Sequence, residues 1–155
     1  MRRQALGLQA LAEGQLVVFP TETVYEDGEV EIRGQRLDRD GPAARRHIGF
    51  LPQRIPAYAE LTVAENLDWA GRLRGLRGAA LDEAVEAVLH QVQLGEYRRR
   101  LAGRLSAGMA QRLGLAQALV HKPAILILDE PTAGLDLESA RAVLNLIREL
   151  AGRGR

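Results

Sequence analysis

The chain has no cysteine among its 155 residues, so disulfides and thiolate metal sites are excluded and the composition suits a reducing compartment. Aromatic residues make up only 4%. An interior must therefore be built from Leu, Val, Ile and Ala, and no aromatic platform is interleaved with the cations for stacking on nucleic acid. Lysine is almost missing, Lys122 being the single one. The loop Gly-x-x-x-x-Gly-Lys-Ser/Thr, whose backbone amides and lysine hold phosphates, is spelled nowhere. No apolar run approaches the ~20 residues that cross a bilayer. Met1-Arg2-Arg3 is followed by a segment too short and mixed for a signal peptide. A net charge of +1 offers no long-range attraction to nucleic acid or acidic lipid. The chain reads as soluble, with membrane contact made only through partners and no nucleic-acid partner.

What remains is a length that allows one domain with a substantial core. Leu8, Leu11 and Ala12 predict a helix over Ala5–Glu13 with Gly14 as its stop. Leu16–Phe19 reads as a short buried strand ended by Pro20. Val30 and Ile32 alternate with charges before Gly34, the pattern of antiparallel strands. His47–Leu51 is another apolar strand, closed by Pro52. Thr62-x-x-Glu65 is a capping box that opens a helix running to Gly75. Leu81, Val85, Val88, Leu89 and Val92 share one face of a helix over Leu81–Val92. A third helix spans Ala110–Val120. Ala124–Leu128 is a continuous aliphatic run, expected of a parallel strand covered on both faces. Leu137, Ala140, Val143, Leu144, Ile147 and Leu150 mark a closing helix, and Gly152–Arg155 reads as a frayed end. Strands at both ends with helices between predict an α/β fold with a helical insertion.

The chemistry gathers in Leu105–Asp136. Asp129 and Glu130 stand at the carboxyl end of the aliphatic strand, where open α/β sheets bind their ligands. Asp129 is placed to hold magnesium through water, and Glu130 to orient or deprotonate an attacking water. Aliphatic runs ending in an acidic turn are common; the following Pro-Thr-Ala-Gly-Leu-Asp sets this one apart. Ser106, Ala107 and Gly108 open a helix, whose unpaired amides and dipole favour an anion. An ordinary helix cap accounts for Ser106 as well. Gln53, after the strand His47–Leu51, offers an amide that could reach a metal or water. Arg98-Arg99-Arg100 reads as a solvated face, and His47, His90 and His121 lack ligand spacing.

Together these residues resemble the ATP-binding subunit of ABC transporters. Gln53 aligns with that family's Q-loop glutamine, and Leu105–Met109 with its signature motif, Ala107 replacing the usual first glycine. Ile125–Asp129 resembles Walker B, Glu130 the catalytic glutamate, and Gly134-Leu135-Asp136 the D-loop. The resemblance covers about Glu26 to the end and implies an incomplete P-loop NTPase-like sheet, with a helical subdomain at about 54–115. It implies ATP and magnesium as cofactors, with Gln53 and Asp129 at the metal and Glu130 at the water. Ser106, Ala107, Gly108 and Asp136 would then face nucleotide held by a second ATP-binding subunit. A transmembrane permease subunit would be the other partner, at the cytoplasmic face of the membrane. No residue matches the Walker A loop or the switch histidine.

Ala5–Tyr25, with Phe-Pro-Thr-Glu-Thr-Val-Tyr at 19–25, resembles instead the start of threonylcarbamoyl-adenylate synthase. The chain thus reads as a synthase-like segment, 1–25, joined near Tyr25–Glu26 to a partial ATPase domain, 26–155. Rearrangement, assembly error and fusion would each produce such a junction. The functional expectation is an ABC transporter ATPase subunit, chimeric or incomplete, with little activity alone. The alternatives are a non-catalytic partner supplying its signature motif, and a synthase remnant.

Overall fold

The computed structural model describes residues 15–18, 23–26, 29–32, 35–36 and 41–152. The predicted helix over residues 5–13 and the last residues of the chain, 153–155, lie outside the described residues.

Strands β1 (Gln15–Val18), β5 (Ile48–Leu51) and β6 (Ile125–Asp129) form a three-stranded sheet in the order β1-β6-β5. β6 is the central strand, as its unbroken Ile-Leu-Ile-Leu run requires. It pairs in parallel with β5, from Ile48↔Ile125 to Leu51↔Leu128. Its pairing with β1 is antiparallel, Gln15 lying opposite Asp129 and Val18 opposite Leu126. The parallel strand expected at 124–128 is thus parallel to β5, and β1 adds an antiparallel neighbour on its other side. Strands β2 (Thr23–Glu26), β3 (Glu29–Ile32) and β4 (Gln35–Arg36) form a separate antiparallel sheet, as the alternation at Val30 and Ile32 requires. β2 was not predicted: Thr-Val-Tyr is rich in strand formers, but too short for a period to register.

Among the described residues five α-helices are interleaved with the strands: α1 (Gly41–Arg45), α2 (Val63–Leu73), α3 (Gly78–Gln91), α4 (Ala107–Leu119) and α5 (Leu137–Gly152). The capping box opening α2 is present, with Thr62 Oγ1 accepting from the Glu65 amide and Glu65 accepting from the Thr62 amide. α3 and α4 each begin three residues before the sequence expectation. The cause is Gly-Ala-Ala at 78–80 and Ala-Gly-Met at 107–109, whose small residues carry no amphipathic signal. Among the described residues the core side chains are Leu, Val, Ile and Ala with no aromatic among them, in keeping with the shortage of aromatics. Leu51, Leu67, Leu89, Leu113, Leu128 and Ile147 belong to one continuous core, so the inserted helices and the sheet share their interior. Leu137 departs from expectation: it opens α5 with 68% of its surface exposed, and Val143, Leu146 and Ile147 carry the buried face.

Two polar side chains hold backbone groups inside the fold. Asn66 is fully buried; its Oδ1 accepts from the Tyr58 amide, and its Nδ2 donates to the carbonyls of Tyr58, Leu61 and Thr62. A buried amide with its groups satisfied stabilises rather than costs. His121, after α4, sets Nε2 3.2 Å from the Ile48 carbonyl, while its Nδ1 is buried without a partner among the described residues. Burial, and then the Arg74 guanidinium, lower its pKa to about 4. In the unfolded chain it takes up a proton near its ordinary value of 6.5. The unfolded state thus binds more protons between these values, and the stability present above pH 6.5 is lost as pH falls toward 4. Urea denaturation across that interval should show a decline in unfolding free energy, and His121→Gln should shrink the decline relative to the unsubstituted chain.

Candidate active site

The parallel ladder decides which side chains meet at the sheet's carboxyl edge. Leu51 pairs with Leu128, so Gln53 and Glu130 stand the same two positions beyond the register. Gln53 Nε2 donates to Glu130 Oε2 at 2.8 Å, across 77 residues of sequence. Both are exposed, and Asp129 beside them, the last residue of β6, is half-buried. Asp129 and the carbonyl oxygen of Gln53 are hard oxygen donors of the kind magnesium accepts. Among the described residues no group of three or more His, Cys, Asp or Glu could hold a metal. Two protein oxygens suit an ion that arrives with phosphate and water ligands rather than one bound by protein alone.

Glu130 has φ +45°, a left-handed backbone that a non-glycine residue rarely adopts. Pro131 is buried behind it, and the Ala133 amide donates back to the Glu130 carbonyl at 3.0 Å. The turn at 131–134 closes with Gly134 at φ +73°, where glycine is the residue without penalty. The chain then enters α5 through Asp136. The Ser139 amide donates to Asp136 Oδ1 at 2.9 Å, and Ser139 Oγ to Oδ2 at 2.7 Å. The backbone bond first, then the hydroxyl, hold the Asp136 carboxyl below its ordinary pKa.

A second cluster surrounds that cap. Ser106 is the N-cap of α4, its Oγ accepting from the Met109 amide at 3.3 Å. Ala107 is exposed and Gly108 buried. A Cβ on Gly108 would lie 3.1 Å from both Cβ and Oγ of Ser139, so the amino ends of α4 and α5 are in contact there. Beside them lies a cavity of about 240 Å³ lined by Ser106, Gly108, Arg112, Ser139, Tyr97 and Gln93. The proposed residues thus fall into two groups: Gln53, Asp129 and Glu130 at the sheet edge, and Ser106, Ala107, Gly108 and Asp136 at two helix mouths. No hydrogen bond joins the groups among the described residues. Lys122 precedes β6, at the opposite end of the strand from Asp129. Ser139 was missed by sequence reasoning, although Asp136-x-x-Ser139 has the spacing of a helix cap.

An acidic pair at the tip of a central strand, with helices inserted between that strand and its parallel neighbour, is the architecture of a P-loop NTPase-like ATPase. The chain belongs to the ABC transporter ATP-binding family, whose family model, "ABC transporter", matches residues 16–133. That match takes in β1 and β2, upstream of the Glu26 start read from the motifs. The chain is 39% identical over 129 residues to the probable multidrug ABC transporter ATP-binding protein YbhF of Escherichia coli (strain K12), covering 83% of this chain and 22% of that one. It is 44% identical over 124 residues to the ABC transporter ATP-binding protein YxlF of Bacillus subtilis (strain 168), covering 79% and 40%. A solved ATP-binding subunit of an ABC transporter superposes with a TM-score of 0.60 at 28% identity, over 80% of this chain and 52% of that one. The chain thus spans less than half the length of these two curated relatives. No helix among its described residues is long and apolar enough to cross a membrane.

A left-handed backbone at a non-glycine residue costs on the order of 1 kcal/mol. Glu130→Gly should therefore raise the thermal midpoint of the chain by a few degrees, whereas Glu130→Gln, which keeps the strain, should leave it nearly unchanged; differential scanning calorimetry of the two variants checks this.

Proposed function

We propose that the chain is the ATP-binding component of an ABC transporter in which Glu130 orients the attacking water and Asp129 with Gln53 holds magnesium. The observation that carries this reading is the Gln53 Nε2–Glu130 Oε2 hydrogen bond at the carboxyl edge of β6. It brings an amide and a carboxylate from distant parts of the chain to the place where such sheets bind ligands. Magnesium, when bound, neutralises phosphate charge. The chain's own contribution is narrower: Glu130 accepts the proton of a water, and Gln53 fixes where that carboxylate points. Ser106, Ala107, Gly108 and Asp136 serve the nucleotide of a second ATP-binding subunit, and a transmembrane permease subunit at the cytoplasmic face of the membrane is the other partner.

The phosphate cradle is the element this sequence does not spell. Its one lysine stands at the wrong end of β6, and β1 runs antiparallel to β6, so β1 ends, at Val18, beside Leu126 and away from Asp129. We read the chain as a partial ATPase domain, 26–155, with its helical subdomain at about 54–115, following a segment, 1–25, of separate origin. The purified chain should show magnesium-dependent ATP hydrolysis no faster than its own Glu130→Gln variant in a phosphate-release assay. Robust turnover lost on that substitution would contradict the reading of the cradle while supporting that of Glu130.

A second reading follows from the contact between Gly108 and Ser139, which makes the signature turn and the Asp136 cap one rigid surface. Such a surface suits a subunit that completes the ATP site of an intact partner without turnover of its own. Mixing the chain with a complete ABC ATP-binding subunit should then raise the partner's turnover several-fold, and Ser106→Arg should cancel the gain. Equal turnover with and without the chain would count against it.

A further inference from the structure

We propose that Gln117, on the helix that begins at the Ser106 turn, is a positioning residue that sets where Gln53 stands against Glu130. The inference rests on the reading of Gln53 and Glu130 given above and adds the part of the fold that holds them in register. Residues 52–57 leave β5 and carry Gln53, yet among the described residues no backbone–backbone hydrogen bond secures them. Pro52 and Pro56 bracket the segment and bring no amide N–H of their own.

What secures the segment is α4. Ile55 lies over Gly114, where an added Cβ would come 3.0 Å from the Ile55 side chain and 2.7 Å from that of Leu51. Three residues further along the same helical face, Gln117 Nε2 donates to the Pro56 carbonyl at 3.2 Å. Glycine makes the notch, and the glutamine amide closes it. From Pro56 back to Gln53 the chain spans at most ~10 Å. A displacement at the Pro56 carbonyl therefore reaches Gln53, whose other anchor is the exposed bond to Glu130.

The other half of the Gln117 amide separates this role from simple packing. Its Oε1 is buried without a hydrogen-bond partner among the described residues, on a helix whose buried residues are mostly Leu, Ala and Gly. A buried acceptor left empty costs stability, and methionine, of similar length, would avoid that cost. The donor on Pro56 is what the amide adds. Because α4 is one rigid helix of 13 residues, the same element carries Ser106 at its mouth and the seat of Gln53 on its flank. The two site clusters, which share no hydrogen bond, are thereby joined mechanically.

The test uses the full chain, with Gln117→Met (no donor) and Gln117→Glu (same shape, no donor when ionised). The side-chain amide of Gln53, assigned by its loss in Gln53→Ala, is followed by 15N NMR with and without Glu130→Gln. In the otherwise unsubstituted chain the signal should shift when that substitution removes the carboxylate. In both Gln117 variants the shift should fall roughly fivefold, the factor one hydrogen bond commands. Because the chain has no cysteine, Arg54→Cys provides a unique nitroxide site, and its motion should quicken in both variants while the core methyl signals keep their positions. A Gln53 shift as large in the variants as in the unsubstituted chain overturns the proposal and leaves the Gln53–Glu130 pair standing. No shift on Glu130→Gln in the otherwise unsubstituted chain removes the pair itself, and the proposal with it.

Discussion

The parallel pairing of β5 with β6 is the constraint on which the rest depends. It aligns Leu51 with Leu128 and so carries Gln53 and Glu130 to the same edge at the same height. The pairing works only because α4 can lie very close to β5. A Cβ on Gly49 would fall 2.3 Å from the Ala118 carbonyl oxygen, so this position admits no side chain without moving the helix. Gly114 repeats the device higher on the same helix, admitting Leu51 and Ile55. Two glycines, one on the strand and one on the helix, thus decide how deeply the sheet seats against α4. That depth in turn decides what the loop after β5 can touch.

Much of this was legible in the residues because the physics involved is local. The Thr62–Glu65 capping box, the face of Leu81 to Val92 and the aliphatic run of β6 depend on spacing along the chain alone, and each stands where spacing puts it. The acidic pair was legible for the same reason: a strand tip is a place in a fold that sequence order can name. What escaped were features made by tertiary approach. Nothing in Gln117 marks it as a partner of Pro56, and nothing in His121 announces a buried ring nitrogen. Helix starts were missed where small residues carry no amphipathic signal, as at Gly78 and Ala107. Strand polarity escaped too, since Leu-Val-Val reads alike in either direction while its pairing with β6 has a definite sense.

The residues assigned to nucleotide are also structural residues, and the two roles do not conflict. Ser106 and Asp136 each terminate a helix by accepting an amide, the task their side chains perform in many proteins. A hydroxyl or carboxylate used in this way keeps further acceptor capacity. The capped helix mouth still directs its first amides outward, where an anion is stabilised. On the proposed assignment, stability and binding would draw on the same few atoms, and a substitution at either residue would disturb both. Glu130 differs: its left-handed backbone is a local cost, set against the bonds it makes to Gln53 and Ala133.

The reversed run of β1 has a practical corollary for redesign. A grafted phosphate-gripping loop is usually spliced behind the strand that borders the acidic one. Here a splice after Val18 would deliver the graft to the sheet's blind side, because Val18 faces Leu126 whereas Gln15 faces Asp129. An engineer restoring nucleotide capture would have to enter ahead of Gln15, or flip the whole border strand, before adding any lysine became worthwhile.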